Sequence, residues 1–185
     1  MMKRSFPAYG SWVMAAAFLS MAAGCGYTTR SLLPVNFKSI YVENFKNSIK
    51  ITAEQNNLRM YRGYTPGMEV GLTKAVIDKF LSDGNLKIAT ASDADLILKA
   101  ELVDFKRDAL RYDANDNVEE YRVKIFVNLE LEDAKSGKSI WKETYFAGEA
   151  TYRTGGSLAK DETAGVKEAI TDLARRITER TVEAW

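Results

Sequence analysis

Histidine is absent from the 185 residues, and cysteine occurs once. Without histidine there is no Ser-His-Asp or Cys-His nucleophile pair, and the commonest metal ligand is missing. A single cysteine excludes an intrachain disulfide and a paired-thiolate zinc site. An excess of either charge is also lacking: 26 Lys and Arg stand against 25 Asp and Glu. No strong field therefore points to nucleic acid. Beyond the first 25 residues no apolar run approaches the ~20 residues of a membrane helix. This inventory removes much standard enzyme chemistry, and the expectation is a chain without catalytic residues, metal or cofactor.

What is present first is an N-terminus unlike the rest. Lys3 and Arg4 give a positive start, and Trp12 to Ala23 is almost wholly apolar. That run, about 12 residues, is too short for a permanent span and fits the apolar region of an export signal. Ala22-Ala23-Gly24-Cys25 then resembles the lipobox, in which lipid joins the cysteine thiol and the peptidase cuts before it. The pattern prefers leucine three positions before the cysteine, where this chain has Ala22. The expectation is a signal peptide over residues 1–24 and a lipidated tether over 25–36, with acyl chains such as palmitate on Cys25. Several acyl chains hold firmly where one holds weakly. Gly26 in place of an aspartate resembles the outer-membrane sorting signal of enterobacterial lipoproteins.

Residues 37–185 read as one α+β domain. Phe37 to Phe45 has the aromatic and β-branched content of a strand. Residues 46–65 are polar and read as a loop. After Pro66, the spacing of Leu72, Val76 and Phe80 predicts an amphipathic helix, with Gly84 as its stop. Leu86 to Thr90 reads as a short strand. Leu96, Leu98, Ala100 and Leu102 alternate along another, which continues in broken register towards Tyr112. The clearest signal is Tyr121, Val123, Ile125, Val127, Leu129 and Leu131 facing one way, with Arg122, Lys124, Phe126, Asn128, Glu130 and Glu132 facing the other. Period 2 sustained so long marks a sheet with one covered and one wet face. A strand over Ile140 to Arg153 and a closing helix over about Leu158 to Ala184 complete the chain. The predicted architecture is a two-layer sandwich, two helices on one face of a largely antiparallel four- to five-stranded sheet.

Candidate sites are few. Asp93 and Asp95 suit a turn better than a cation site. Asp113, Asn115 and Asp116 resemble part of a calcium loop, but the glycine and distal glutamate are missing. Gly155-Gly156 reads as a strand-to-helix link. The basic residues Lys106, Arg107, Arg111, Arg122 and Lys124 lie along the proposed hairpin, with Tyr112, Tyr121 and Phe126 interleaved. Cations beside aromatic surface suit a phosphorylated amphiphile. Asp104, Asp108, Glu119 and Glu120 among them suit an ordinary solvated face.

Tyr41-Val42-Glu43-Asn44-Phe45, Leu72-Thr73-Lys74-Ala75, Ala94-Asp95-Leu96-Ile97-Leu98, the hairpin from Phe105 to Leu131 and Asp133 to Trp141 occur in an order and spacing that resemble the LptE family of lipopolysaccharide-assembly lipoproteins. The similarity spans nearly all of the chain after Cys25. The stretch Asn47 to Tyr64 is long for that pattern. The resemblance implies a non-enzymatic role: an outer-membrane lipoprotein on the periplasmic side of, or within, the LptD β-barrel, helping to assemble that barrel and to place lipopolysaccharide in the outer leaflet. It also implies contact with lipopolysaccharide through basic residues, for which Arg107, Arg111, Arg122 and Lys124 are the candidates. The alternative is a lipoprotein adaptor of the curli-secretion or penicillin-binding-protein-activator type.

Overall fold

The alternation of residues 121–131 becomes the central strand of a mixed sheet. The computed structural model describes residues 37–49 and 65–183. The expected signal peptide, Cys25, the tether and most of the 46–65 loop lie outside the described residues. In chain order the elements are β1 (Ser39–Val42), β2 (Lys46–Asn47), α1 (Met68–Asp83), β3 (Lys87–Ile88), β4 (Leu96–Tyr112), β5 (Val118–Asp133), β6 (Ser139–Arg153) and α2 (Glu162–Glu183). The sheet runs β3-β1-β4-β5-β6, with β2 also on β4. The three long strands are antiparallel. β1 joins β3 and β4 in parallel, and β2 joins β4 in parallel. The sheet is thus mostly antiparallel with a short parallel margin.

Both helices cover one face. Leu72, Val76 and Phe80 turn the stripe of α1 inward, and Ala169, Leu173, Ala174 and Ile177 do so for α2. They meet Leu96, Leu98, Leu102, Phe105, Val123, Ile125, Val127 and Leu131 from the sheet, in one continuous core. Each such side chain contributes roughly 1.5–3 kcal/mol by leaving water. Gly84, left-handed at φ 78°, closes α1 by donating its N–H to the Phe80 carbonyl at 3.0 Å. Pro66 precedes the helix by two residues rather than opening it, and left-handed Gly67 stands between. Asp161 caps α2, its Oδ1 accepting the Ala164 N–H at 2.7 Å.

Asp95 ties three segments together. Its Oδ2 accepts the Lys38 N–H and the Ser39 hydroxyl, each at 3.0 Å, and its Oδ1 meets Lys135 Nζ at 3.0 Å. The Lys38 amide, then Lys135 and Ser39, hold this carboxyl at about 2. The folded-state value lies below the ordinary one, so the stabilisation is complete above about pH 4 and lost as pH falls towards 2. Asp95→Asn is expected to cost about 1–2 kcal/mol at neutral pH and to flatten the acid limb of stability. Urea unfolding at a series of pH values checks this; parallel acid limbs for wild type and variant would contradict it.

Candidate functional site

The sheet face on which no described helix packs is the polar face that the alternation of β5 requires. Its parity along β4 is set by a bulge between Leu102 and Asp104. Before the bulge, Leu96, Leu98, Ala100 and Leu102 point to the helices; after it Phe105 does. One extra residue inverts the side chains that follow it, until a second shift between Ala109 and Arg111 returns Arg111 to the open face. Lys106, level with Lys124, is therefore on the open face, whereas Arg107, level with buried Val123, is on the helix face.

The four sequence candidates divide accordingly. Arg107 sits against α2, with Nη1 2.9 Å from Glu162 Oε1 and its guanidinium 4.3 Å from the Tyr121 ring centroid. Arg111, Arg122 and Lys124 share the open face. Arg111 stands 3.6 Å from Glu120, a loose and solvent-exposed pair. Lys124 stands 3.7 Å from Glu149. Arg122 forms no ion pair among the described residues, and its Nε is shielded from water without an acceptor. Towards the other end of the face, Lys99 binds Glu132 at 2.6 Å and Lys142 binds Glu130 at 2.9 Å. Exposed pairs of this kind contribute at most about 1 kcal/mol each.

Tyr145 escaped the sequence reading. It leaves β6 in the left-handed region, φ 57°, which a bulky residue rarely adopts. Its N–H donates to Asn128 Oδ1 at 3.1 Å. From β6 its side chain crosses β5 to β4, where its hydroxyl donates to the Asp104 carboxylate. Its ring lies 4.6 Å, centroid to centroid, from that of Phe126. Lys106 Nζ is 5.2 Å from the Phe126 centroid, 5.6 Å from that of Tyr145 and 3.4 Å from Asp104. Burial opposes ionisation of Asp104, but the Tyr145 hydroxyl, the Phe105 amide and Lys106 outweigh it and hold the carboxyl below its ordinary value. The bond to Asp104 raises Tyr145.

The acidic motifs serve structure. Asp93 accepts from Thr90, and Asp113 accepts the N–H groups of Asn115 and Asn117 across the β4–β5 turn. Among the described residues, no group of three acids, cysteines or histidines is placed to hold a metal ion. No described helix is long and apolar enough to cross a membrane.

These features define a two-layer α+β domain with one helix-covered sheet face and one open, charged face. Two solved structures share that fold. A protein from Xanthomonas campestris aligns over 83% of this chain and 91% of its own, at 14% identity and TM-score 0.50. A hypothetical protein from Chlamydia trachomatis aligns over 78% and 95%, at 11% identity and TM-score 0.52. A third match, the rare lipoprotein B from Shewanella oneidensis, aligns over 78% and 93%, at 19% identity and TM-score 0.46. No curated protein matches the sequence. Residues 37–181 match the model of the LptE family, lipopolysaccharide-assembly, and the chain belongs to that family.

Proposed function

We propose that this protein is an outer-membrane lipoprotein, held by lipid on Cys25, that partners an LptD-like β-barrel in moving lipopolysaccharide to the outer leaflet. The observation that carries the reading is the family match, which extends over nearly all of the described domain. Within it, the open sheet face takes the lipopolysaccharide head group. Arg111, Arg122 and Lys124 supply the cations there, with Lys106, paired to Asp104, beside them. Arg107, engaged with Glu162 on the other face, stands outside this patch. Forked, charge-assisted hydrogen bonds suit arginine to phosphate. The role is one of binding and assembly, with no catalytic step.

Two experiments test it. Solubilised outer membrane carrying the tagged full chain is expected to yield a β-barrel partner; a peptidoglycan synthase instead would favour the adaptor reading. In titrations with lipopolysaccharide, Arg111→Glu with Arg122→Glu is expected to weaken binding about tenfold or more, an effect of at least about 1.4 kcal/mol. Circular dichroism is expected to stay native, because Arg111 is exposed and Arg122 forms no ion pair among the described residues that the change would break. Added salt is expected to weaken wild-type binding, as a Debye length of about 10 Å at 0.1 M screens exposed charges. Unchanged affinity in the double variant, with no salt dependence in wild type, would leave barrel contact as the protein's only task.

A further inference from the structure

On the open face Tyr145 packs on Phe126, and the construction of this pair is unusual. A tyrosine in the left-handed region is strained, and such strain persists only where the surroundings enforce it. Here they do so from three sides: Asn128 holds the amide, Asp104 holds the hydroxyl and Phe126 holds the ring. Core packing does not account for it, because Tyr145 remains 51% exposed. Glycine or asparagine would take this backbone conformation at lower cost. What the tyrosine adds is a fixed aromatic surface, laid across β5 beside Phe126 and facing solvent.

A second asymmetry lies along β5. Lys106, next to the ring pair, is neutralised by Asp104 at 3.4 Å. Lys124, level with Lys106 and one pleat, about 7 Å, from Phe126 towards the hairpin tip, has only the loose contact to Glu149 at 3.7 Å. Arg122, a further pleat on, lies across the sheet from Asp108 of β4 and forms no ion pair among the described residues. The face therefore runs from an aromatic surface with a spent cation to two cations with unused capacity. An anion alone would need only the second half. An apolar ligand would need only the first.

We propose that Tyr145 and Phe126 form a platform for a sugar ring of lipopolysaccharide, with a phosphate on that saccharide received by Lys124 and Arg122. The C–H bonds on one side of a pyranose are polarised by the ring oxygens and meet the negative face of an aromatic ring favourably. The amide of Asn128, whose oxygen is taken by the Tyr145 N–H, keeps its two N–H donors for the sugar hydroxyls. This inference rests on the reading of the open face as the lipopolysaccharide-contacting surface, and it names the residues that take the saccharide.

The test uses the full chain in detergent and three probes: lipopolysaccharide, the deacylated bisphosphorylated glucosamine disaccharide of its lipid moiety, and the same disaccharide without phosphate. Tyr145→Asn removes the ring while keeping a residue that accepts this backbone. Phe126→Leu removes the other ring while keeping apolar bulk, which preserves the test if Tyr145→Asn fails to fold. Each is expected to weaken both disaccharides about tenfold. Arg122→Glu is expected to weaken only the phosphorylated one. Wild-type affinity for the disaccharides in both ring variants would overturn the proposal. So would a wild-type protein that binds lipopolysaccharide but neither disaccharide, and that result leaves the functional reading standing. A wild type that binds none of the three probes would overturn the functional reading as well.

Discussion

Replacing Gly148 by alanine is expected to destabilise the domain by about 3 kcal/mol and to lower its thermal midpoint by roughly 10 °C. Gly148 lies on β6 opposite Ile125, on the face that receives α2. A Cβ there would stand 2.4 Å from the Leu173 Cβ and 2.6 Å from the Leu173 backbone nitrogen and Cα. A flexible side chain could swing aside; the backbone of a 22-residue helix cannot move locally. Leu173 is itself fully buried, so lifting α2 opens the core along its length. Two other glycines calibrate the effect. At Gly165 the added carbon would meet the Tyr152 ring, a side chain, at 2.4 Å, and a smaller cost is expected. At Gly71, inside α1, it would meet nothing within 4 Å. There alanine is expected to stabilise by about 0.5–1 kcal/mol through helix propensity. Calorimetry of the three variants provides the check. If Gly148→Ala melts with the wild type, α2 does not rest directly on β6.

How much of this was legible in the sequence depends on whether an element keeps one period from end to end. β5 does, and its alternation gave both the covered face and the wet face. α1 shows the same directness, since Leu72, Val76 and Phe80 are among the residues it buries. β6 does not keep its period. Its pairing shifts between Val127 and Leu129 of β5, where Tyr145 turns left-handed, and nothing in Lys142-Glu143-Thr144-Tyr145-Phe146 marks a tyrosine for that role. The parallel margin was hidden for another reason. Parallel or antiparallel pairing of a four-residue strand such as β1 depends on distant partners, here β3 and β4, and local composition does not carry it.

The candidate site was half legible for the same physical reason. Arg122 and Lys124 sit on β5, and their shared face followed from its alternation. The sequence groups Arg107 with them along the hairpin and shows that the register of β4 breaks, but it does not say where each later residue then faces. The bulge at Leu102/Asp104 reverses the parity of β4, sending Arg107 to Glu162 and bringing Lys106 to the open face. Broken register was visible in the sequence, because Phe105 is apolar where the alternation from Leu96 calls for a polar residue. Carrying that first irregularity forward as far as Ala109 identifies Lys106 as the cation beside Phe126. Tyr145 is different, since its side chain reaches Asp104 across an intervening strand, a relation that only the assembled sheet creates.

Ile125→Ala is expected to cost about 2–5 kcal/mol, whereas Phe126→Ala, one residue on, is expected to cost about 1 kcal/mol. Ile125 is fully buried, level with Phe105 of β4 and Gly148 of β6. Truncation leaves a cavity that α2 cannot fill, because its approach is already limited by the contact of Leu173 with Gly148. Phe126 is half-buried on the opposite face, and its contact is with the Tyr145 ring. Its loss removes aromatic contact and some apolar burial but opens no space in the core. Urea unfolding measures both, with an unchanged slope expected because the surface exposed on unfolding is nearly the same. The two substitutions are also expected to separate in function. Ile125→Ala, assayed where it remains folded, retains saccharide affinity; Phe126→Ala loses affinity with little loss of stability. A larger stability cost at Phe126 than at Ile125 would mean that the covered and open faces of β5 are reversed, and the cation row at Arg122 and Lys124 would then point into the core.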